Sequence, residues 1–161
     1  MDVAYINPFI EGLIEIFETM IGFTPKRVGL DLKEEGKKGY THGVSGVIGL
    51  AGEAIGCVLL RMDEEVAMRV VSKFIGEEVN DLDPLVTDGV GELANMISGN
   101  AKATLHDRGY KFNISLPTIV CGKNYITRQP KDAPCLVVKF ESECGPFELE
   151  VSLNKNGNKK K

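Results

Sequence analysis

The sequence is poor in the residues from which most enzymes assemble a self-contained catalytic centre. It holds two histidines, His42 and His106, and four cysteines, Cys57, Cys121, Cys135 and Cys144, with no Cys-x-x-Cys pair. Zinc sites of the usual kind need paired Cys and His ligands at short spacings, so that pattern is missing and no resident metal is expected. Neither histidine has a serine–aspartate or cysteine partner near it in sequence, which makes a surface or satisfied histidine the simpler reading. No apolar run approaches the roughly 18 residues of a membrane span. Asp2 stands where a secretory signal would carry basic residues, so a cytoplasmic location with free thiols is expected. Nor is there an excess of positive charge. With 19 Lys and Arg against 23 Asp and Glu the formal charge is −4, which gives no attraction for nucleic acid or anionic membrane. The local exception, Lys155 and Lys159 to Lys161 among Asn and Gly, reads as a solvated basic tail over residues 155–161.

What is present is the composition of one ordinary globular domain, expected over residues 1–154. Hydrophobic residues are 43% and charged residues 26% of 161, enough to bury a core without metal or disulfide support. Asn7-Pro8 reads as a helix start, with Asn7 capping, followed by Phe9, Leu13, Ile16, Phe17 and Met20 at helical spacing and Gly22 as the stop. Strand-like text follows at about 27–32, 44–50 and 54–62, the last two joined by the short gap Ala51-Gly52-Glu53. Asp63 caps a helix ending at Gly76. Asp83-Pro84 opens the longest helix, to about Arg108, with Gly109 as its terminator. Further strands are expected at about 113–120, 125–128, 135–143 and 147–153, with a hairpin turn at Glu143-Cys144-Gly145-Pro146. Short strand connections and segregated helices predict an α+β domain, a two-layer fold with a mostly antiparallel sheet and helices on one face.

A faint internal echo runs through this order. Residues 13–22 can be laid over residues 90–99, so that Glu11, Glu15 and Glu18 mirror Asp88, Glu92 and Asn95. Amphipathic helices often match this well by chance.

On the long helix, Asp88, Glu92, Asn95 and Gly99 follow steps of four, three and four residues and share one stripe. Val90, Leu93, Ala94, Ile97 and Ala101 fall opposite and supply the packing face. Gly89, Gly91 and Gly99 lie in the helix interior, where each costs about 0.8–1 kcal/mol relative to alanine. Close approach by a strand or by a second protein could compensate. On spacing alone a solvated face is the simpler reading.

The segment Asp88-Gly89-Val90-Gly91-Glu92-Leu93-Ala94-Asn95-Met96 resembles the signature helix of the CheC/CheX chemotaxis phosphatases, in which Asp or Ser, three residues, Glu, two residues and Asn are followed downstream by a proline in a strand. Pro117 in Pro117-Thr118-Ile119-Val120-Cys121-Gly122 occupies that place, and the order of elements is similar over residues 4–154. The resemblance implies hydrolysis of an aspartyl phosphate on a CheY-like receiver. Asn95 would orient the attacking water, and Glu92 would pair with a receiver lysine. Mg2+ would be carried by the receiver, and this chain would need no cofactor of its own. Asp88, Gly91, Gly99 and Pro117 are the expected partner-binding positions, Asp88 serving equally well as a helix-dipole residue. The family has members with two such helices and members with one. Glu18 stands where a first-helix Asn is required, so a single working site and a CheX-like homodimer through sheet edges are expected. The same fold also occurs in flagellar-switch proteins without the active pair, so a non-catalytic receiver-binding module is the alternative.

Two other features carry less. Gly43-Val44-Ser45-Gly46-Val47-Ile48-Gly49 lacks the strand–loop–helix context and Gly-Lys-Ser/Thr of a phosphate loop. Cys57, Cys121 and Cys135 read as small core residues, and Cys144 as an exposed turn thiol.

Overall fold

The computed structural model describes residues 4–33, 43–122 and 134–155. Their order is α1 (Ile6–Ile16), β1 (Lys26–Leu32), β2 (Gly43–Gly52), β3 (Ala54–Asp63), α2 (Glu64–Ile75), α3 (Pro84–His106), β4 (Phe112–Ile114), β5 (Thr118–Gly122), β6 (Cys135–Glu141) and β7 (Phe147–Lys155). The expected strand at 125–128, the turn at 34–39 and His42 lie outside the described residues.

Local chemistry accounts for most helix ends. The Asp63 carboxylate accepts from the Val66 amide at 2.8 Å, with Glu64 and Glu65 in the first turn of α2. Asp83 accepts from Leu85 and Val86 at 3.0 and 3.3 Å, ahead of Pro84 at the first position of α3. At the far end of α3, Tyr110 N–H donates to Leu105 O and Gly109 N–H to His106 O, around a left-handed Gly109 (φ 89°). That is a Schellman closure, and it needs a residue without a Cβ penalty. The start of α1 differs from expectation. Tyr5 holds the cap position with no side-chain cap, and Asn7 lies inside the helix, its N–H donating to Ala4 O. Pro8 is tolerated there because first-turn amides have no intrahelical acceptor to lose. After Ile16 the chain widens into a π-helical turn, Phe17–Ile21, closed by Gly22.

All strand pairs are antiparallel. The path across the seven-stranded sheet is β1-β6-β7-β3-β2, with β4 and β5 both paired to the outer side of β2. This order is a palindrome: exchanging β1, β2, β3 with β5, β6, β7 reproduces it in reverse about the central β3–β7 pair. The helix preceding each triplet is α1 in one half and α3 in the other, so the weak echo between residues 13–22 and 90–99 coincides with a repeat of topology. The β7 ladder reaches Lys155, opposite Ala54, so the first residue assigned to the tail belongs to the sheet.

The helices cover one face. Val44, Ile48, Val58, Leu60, Leu149, Val151 and Val138 point into the core beneath α1 and α3, and Phe17, Phe147 and Phe140 stack in series at 4.9 and 5.2 Å. On the opposite face Glu150 is buried between Lys33 (2.9 Å) and Arg61 (2.7 Å). Burial of a lone carboxylate is prohibitive, so the two cations are what permit it. The expected strand 113–120 breaks at Ser115-Leu116-Pro117, where β4 stops and β5 begins. Pro117, having no N–H to donate to a ladder, precedes β5 rather than lying within it.

Candidate active site

α3 is held from three sides. α1 crosses it at Gly12, whose ideal Cβ would lie 3.5 Å from Asn100 Cβ and from Ile97 O. Gly46 of β2 lets the sheet reach α3 so closely that a Cβ there would meet Val90 O at 3.0 Å and Ala94 Cβ at 3.2 Å. The glycine-rich stretch around Gly46 is therefore a strand under a helix, and no phosphate loop. α2 adds Val71, whose methyls are 2.8 Å from the Cβ position of Gly89. Val90, Leu93, Ala94, Ile97 and Ala101 are buried, as the spacing predicted.

This clamping leaves one stripe outward. Asp88 and Glu92 are exposed and Asn95 and Gly99 are part-exposed. Among the described residues none of the side chains of Asp88, Glu92 and Asn95 has a hydrogen-bond or ion-pair partner. Glu92 and Asn95 are one turn apart, about 4.5 Å along the axis at 1.5 Å per residue. The arrangement offers a carboxylate beside a carboxamide on a closely packed helix, the latter with both donor and acceptor capacity.

The small residues divide in their roles. The ideal Cβ of Gly99 meets nothing within 4 Å, so it leaves the surface open. Gly91 is buried, and a Cβ there would lie 2.9 Å from Ile119 Cδ1 and 3.3 Å from Pro117 Cβ. The expectation that Gly91 receives a partner is corrected: its space is taken by β5 and the residue before it. Pro117 is half-buried and belongs to that packing, at the border of the stripe.

The mirror positions on α1 differ in state. Glu15 accepts from Asn100 Nδ2 at 3.1 Å, and Glu18 accepts from Thr24 Oγ1 at 2.6 Å within the π-helical turn. The carboxylates are occupied locally, and the wider turn shifts Glu18 from the α-helical stripe.

Other candidate chemistry is weak. Cys144 is buried rather than exposed, and burial pushes its thiol up; Cys121 is exposed rather than in the core, with its thiol raised by burial and by Glu64. Cys135 is pushed up to about 12 by burial and then by the Glu150 carboxylate. None of these thiols is poised as a thiolate nucleophile at neutral pH. No group of three or more Cys, His, Asp or Glu side chains among the described residues could hold a metal. Among the described residues, no helix is long and apolar enough to cross a membrane.

A palindromic antiparallel sheet backing a helix with an outward Glu–Asn pair is the architecture that the resemblance to the chemotaxis phosphatases implied. Residues 44–141 match the family described as chemotaxis phosphatase CheX. The CheY-P phosphatase CheX of Thermotoga maritima is 30% identical over 164 residues, covering 98% of this chain and 100% of that one. A CheC-like protein from Shewanella sp. PV-4 superposes with a TM-score of 0.85 at 34% identity, over 96% of this chain and 99% of its own. The CheX–CheY–BeF3–Mg2+ complex from Borrelia burgdorferi aligns with a TM-score of 0.80 at 28% identity, over 95% and 99%. The chain belongs to the CheX family of chemotaxis phosphatases.

Proposed function

We propose that this phosphatase hydrolyses the aspartyl phosphate of a CheY-like receiver, and that Asn95 and Glu92 of α3 carry the activity. The supporting observation is the pair, without partners among the described residues, on an outward stripe of a helix packed closely by three neighbours. An acyl phosphate is already activated, so its hydrolysis demands an aimed water and control of charge more than a new nucleophile. Asn95 enters the receiver's phosphorylation site and holds water in line with the phosphorus. The water oxygen forms the new P–O bond, the P–O bond to the aspartyl carboxyl breaks, and inorganic phosphate and the free carboxylate result. Glu92 cannot face the phosphoryl anion directly without repulsion, so it pairs with a receiver cation, a lysine, and sets the helix in register. Asp88 and Gly99 flank the pair and meet the receiver surface.

The Mg2+ ion is assigned to the receiver. The donor set around Glu92 fits a resident ion poorly, since its neighbours on the stripe are a lone aspartate and neutral groups. With a cytoplasmic receiver as substrate, this chain is cytoplasmic as well.

A homodimer through sheet edges finds support in β1. Among the described residues this end strand pairs only with β6, and Val28, Leu30 and Leu32 are 51%, 41% and 57% exposed on one of its faces. An apolar strand at the end of a sheet is a template for pairing.

The test uses a receiver phosphorylated in molar excess over this protein. Multiple turnovers of phosphate release, faster than from the receiver alone, establish a phosphatase. An unchanged phosphate lifetime, with the receiver bound, would instead assign the non-catalytic module.

A further inference from the structure

Leu116 is 87% exposed, the most open of the large hydrophobic side chains among the described residues. Single exposed leucines are ordinary, but this one projects from a fixed base. Ser115 N–H donates to Gly49 O at 2.9 Å, and Gly49 N–H donates to Ser115 Oγ at 2.8 Å. The Ser115 hydroxyl in turn donates to Leu116 O at 2.9 Å. On its other side, Pro117 restricts the backbone and packs at Gly91. The segment is thus clamped between β2 and α3, at the break between β4 and β5, and the leucine is directed into water.

Its location connects it to the site. Gly91, which Pro117 covers, immediately precedes Glu92 and stands one turn before Asn95, so the ledge borders the polar stripe. Leu85, 50% exposed, continues the stripe two turns before Glu92. An apolar projection beside oriented polar groups has the anatomy of a protein–protein contact, where a few anchors dominate affinity.

We propose that Leu116 is a docking residue for the phosphorylated receiver, its side chain entering an apolar recess beside the receiver's phosphorylation site. This rests on the reading that the receiver docks on α3. A second copy of the chain is the poorer occupant, because its seating on Leu116 would cover Asn95.

The experiment is steady-state dephosphorylation of a CheY-like receiver by the full chain and by Leu116→Ser, Leu116→Met and Asn95→Ala. Leu116→Ser should raise KM about tenfold, the scale of losing one buried leucine anchor, and leave kcat within about twofold. Leu116→Met should restore the parent KM, since volume and apolarity return. A parent-like KM for Leu116→Ser, with turnover lost in Asn95→Ala, overturns the docking role and leaves the α3 site standing. Parent-like behaviour of both variants overturns the α3 reading itself. A change in dimerisation of Leu116→Ser with KM unaltered gives the leucine to a second copy and also overturns the proposal.

Discussion

Replacing Gly99 by alanine places a methyl group on α3 where an ideal Cβ meets no heavy atom within 4 Å. The backbone there is helical, so the substitution recovers the propensity that glycine forfeits, about 0.8–1 kcal/mol, with no steric charge against it. For a domain of this length that is a rise of about 2–4 °C in Tm. The same substitution at Gly89 should act in the opposite direction. There a Cβ would lie 2.8 Å from both methyls of Val71, a fully buried β-branched residue of α2 that has no alternative rotamer to retreat into. Overpacking costs about 1–3 kcal/mol, which exceeds the same propensity gain and leaves a net loss of roughly 1 kcal/mol. Thermal unfolding followed by circular dichroism separates the two. A Gly99→Ala variant that melts below the parent, or a Gly89→Ala variant that melts above it, would refute the division of these glycines into open and packed. If Gly99 also faces the receiver, Gly99→Ala raises KM while it raises Tm, a combination that loss of fold cannot produce.

Glu18→Asn completes a Glu-x-x-Asn pair on the first helix in sequence, yet it should add no second activity, because the π-helical turn displaces this position; a doubling of kcat would contradict that. Leu30→Lys, on the exposed face of β1, should convert the proposed homodimer to monomer in sedimentation, and an undisturbed dimer would move the interface elsewhere. Tyr5 and Cys135 are each pushed up to about 12, Tyr5 chiefly by burial, so the folded chain holds protons that the unfolded chain releases above about pH 9–10. Stability should therefore be intact below that window and fall as pH rises towards 12. A flat urea midpoint between pH 8 and 11 would count against it.

What could be read from the sequence was mostly local. Asp63 and Asp83 cap their helices through their own side chains, and the stripe from Asp88 to Gly99 follows from helix geometry alone. Strand periodicity and short gaps fixed an antiparallel sheet for the same reason. What escaped depends on distant residues. Lys33 and Glu150 are separated by 117 positions, and no spacing rule pairs them. Cys144 looked exposed because it lies in a turn, yet that turn packs on α2, with Arg69 Nη1 donating to Cys144 O at 3.2 Å. Gly91 looked open to a partner because the segment that covers it lies beyond the end of α3. Leu116 had no sequence signal except the proline after it. Asn7-Pro8 misled in the other direction: a common start signal was overridden because the helix begins two residues earlier, with Tyr5 buried beside Tyr110 at 6.2 Å between ring centroids.

In the proposed mechanism Asn95 orients water while other residues secure the receiver. Its most direct test is single-turnover decay of phosphorylated receiver at saturating phosphatase, compared between parent and Asn95→Ala, with binding to the BeF3-activated receiver measured alongside. The predicted result is a rate reduced about 100-fold, the scale of a misdirected nucleophile, with Kd changed less than about threefold. A variant that retains the parent rate, or whose whole defect lies in Kd, would contradict it.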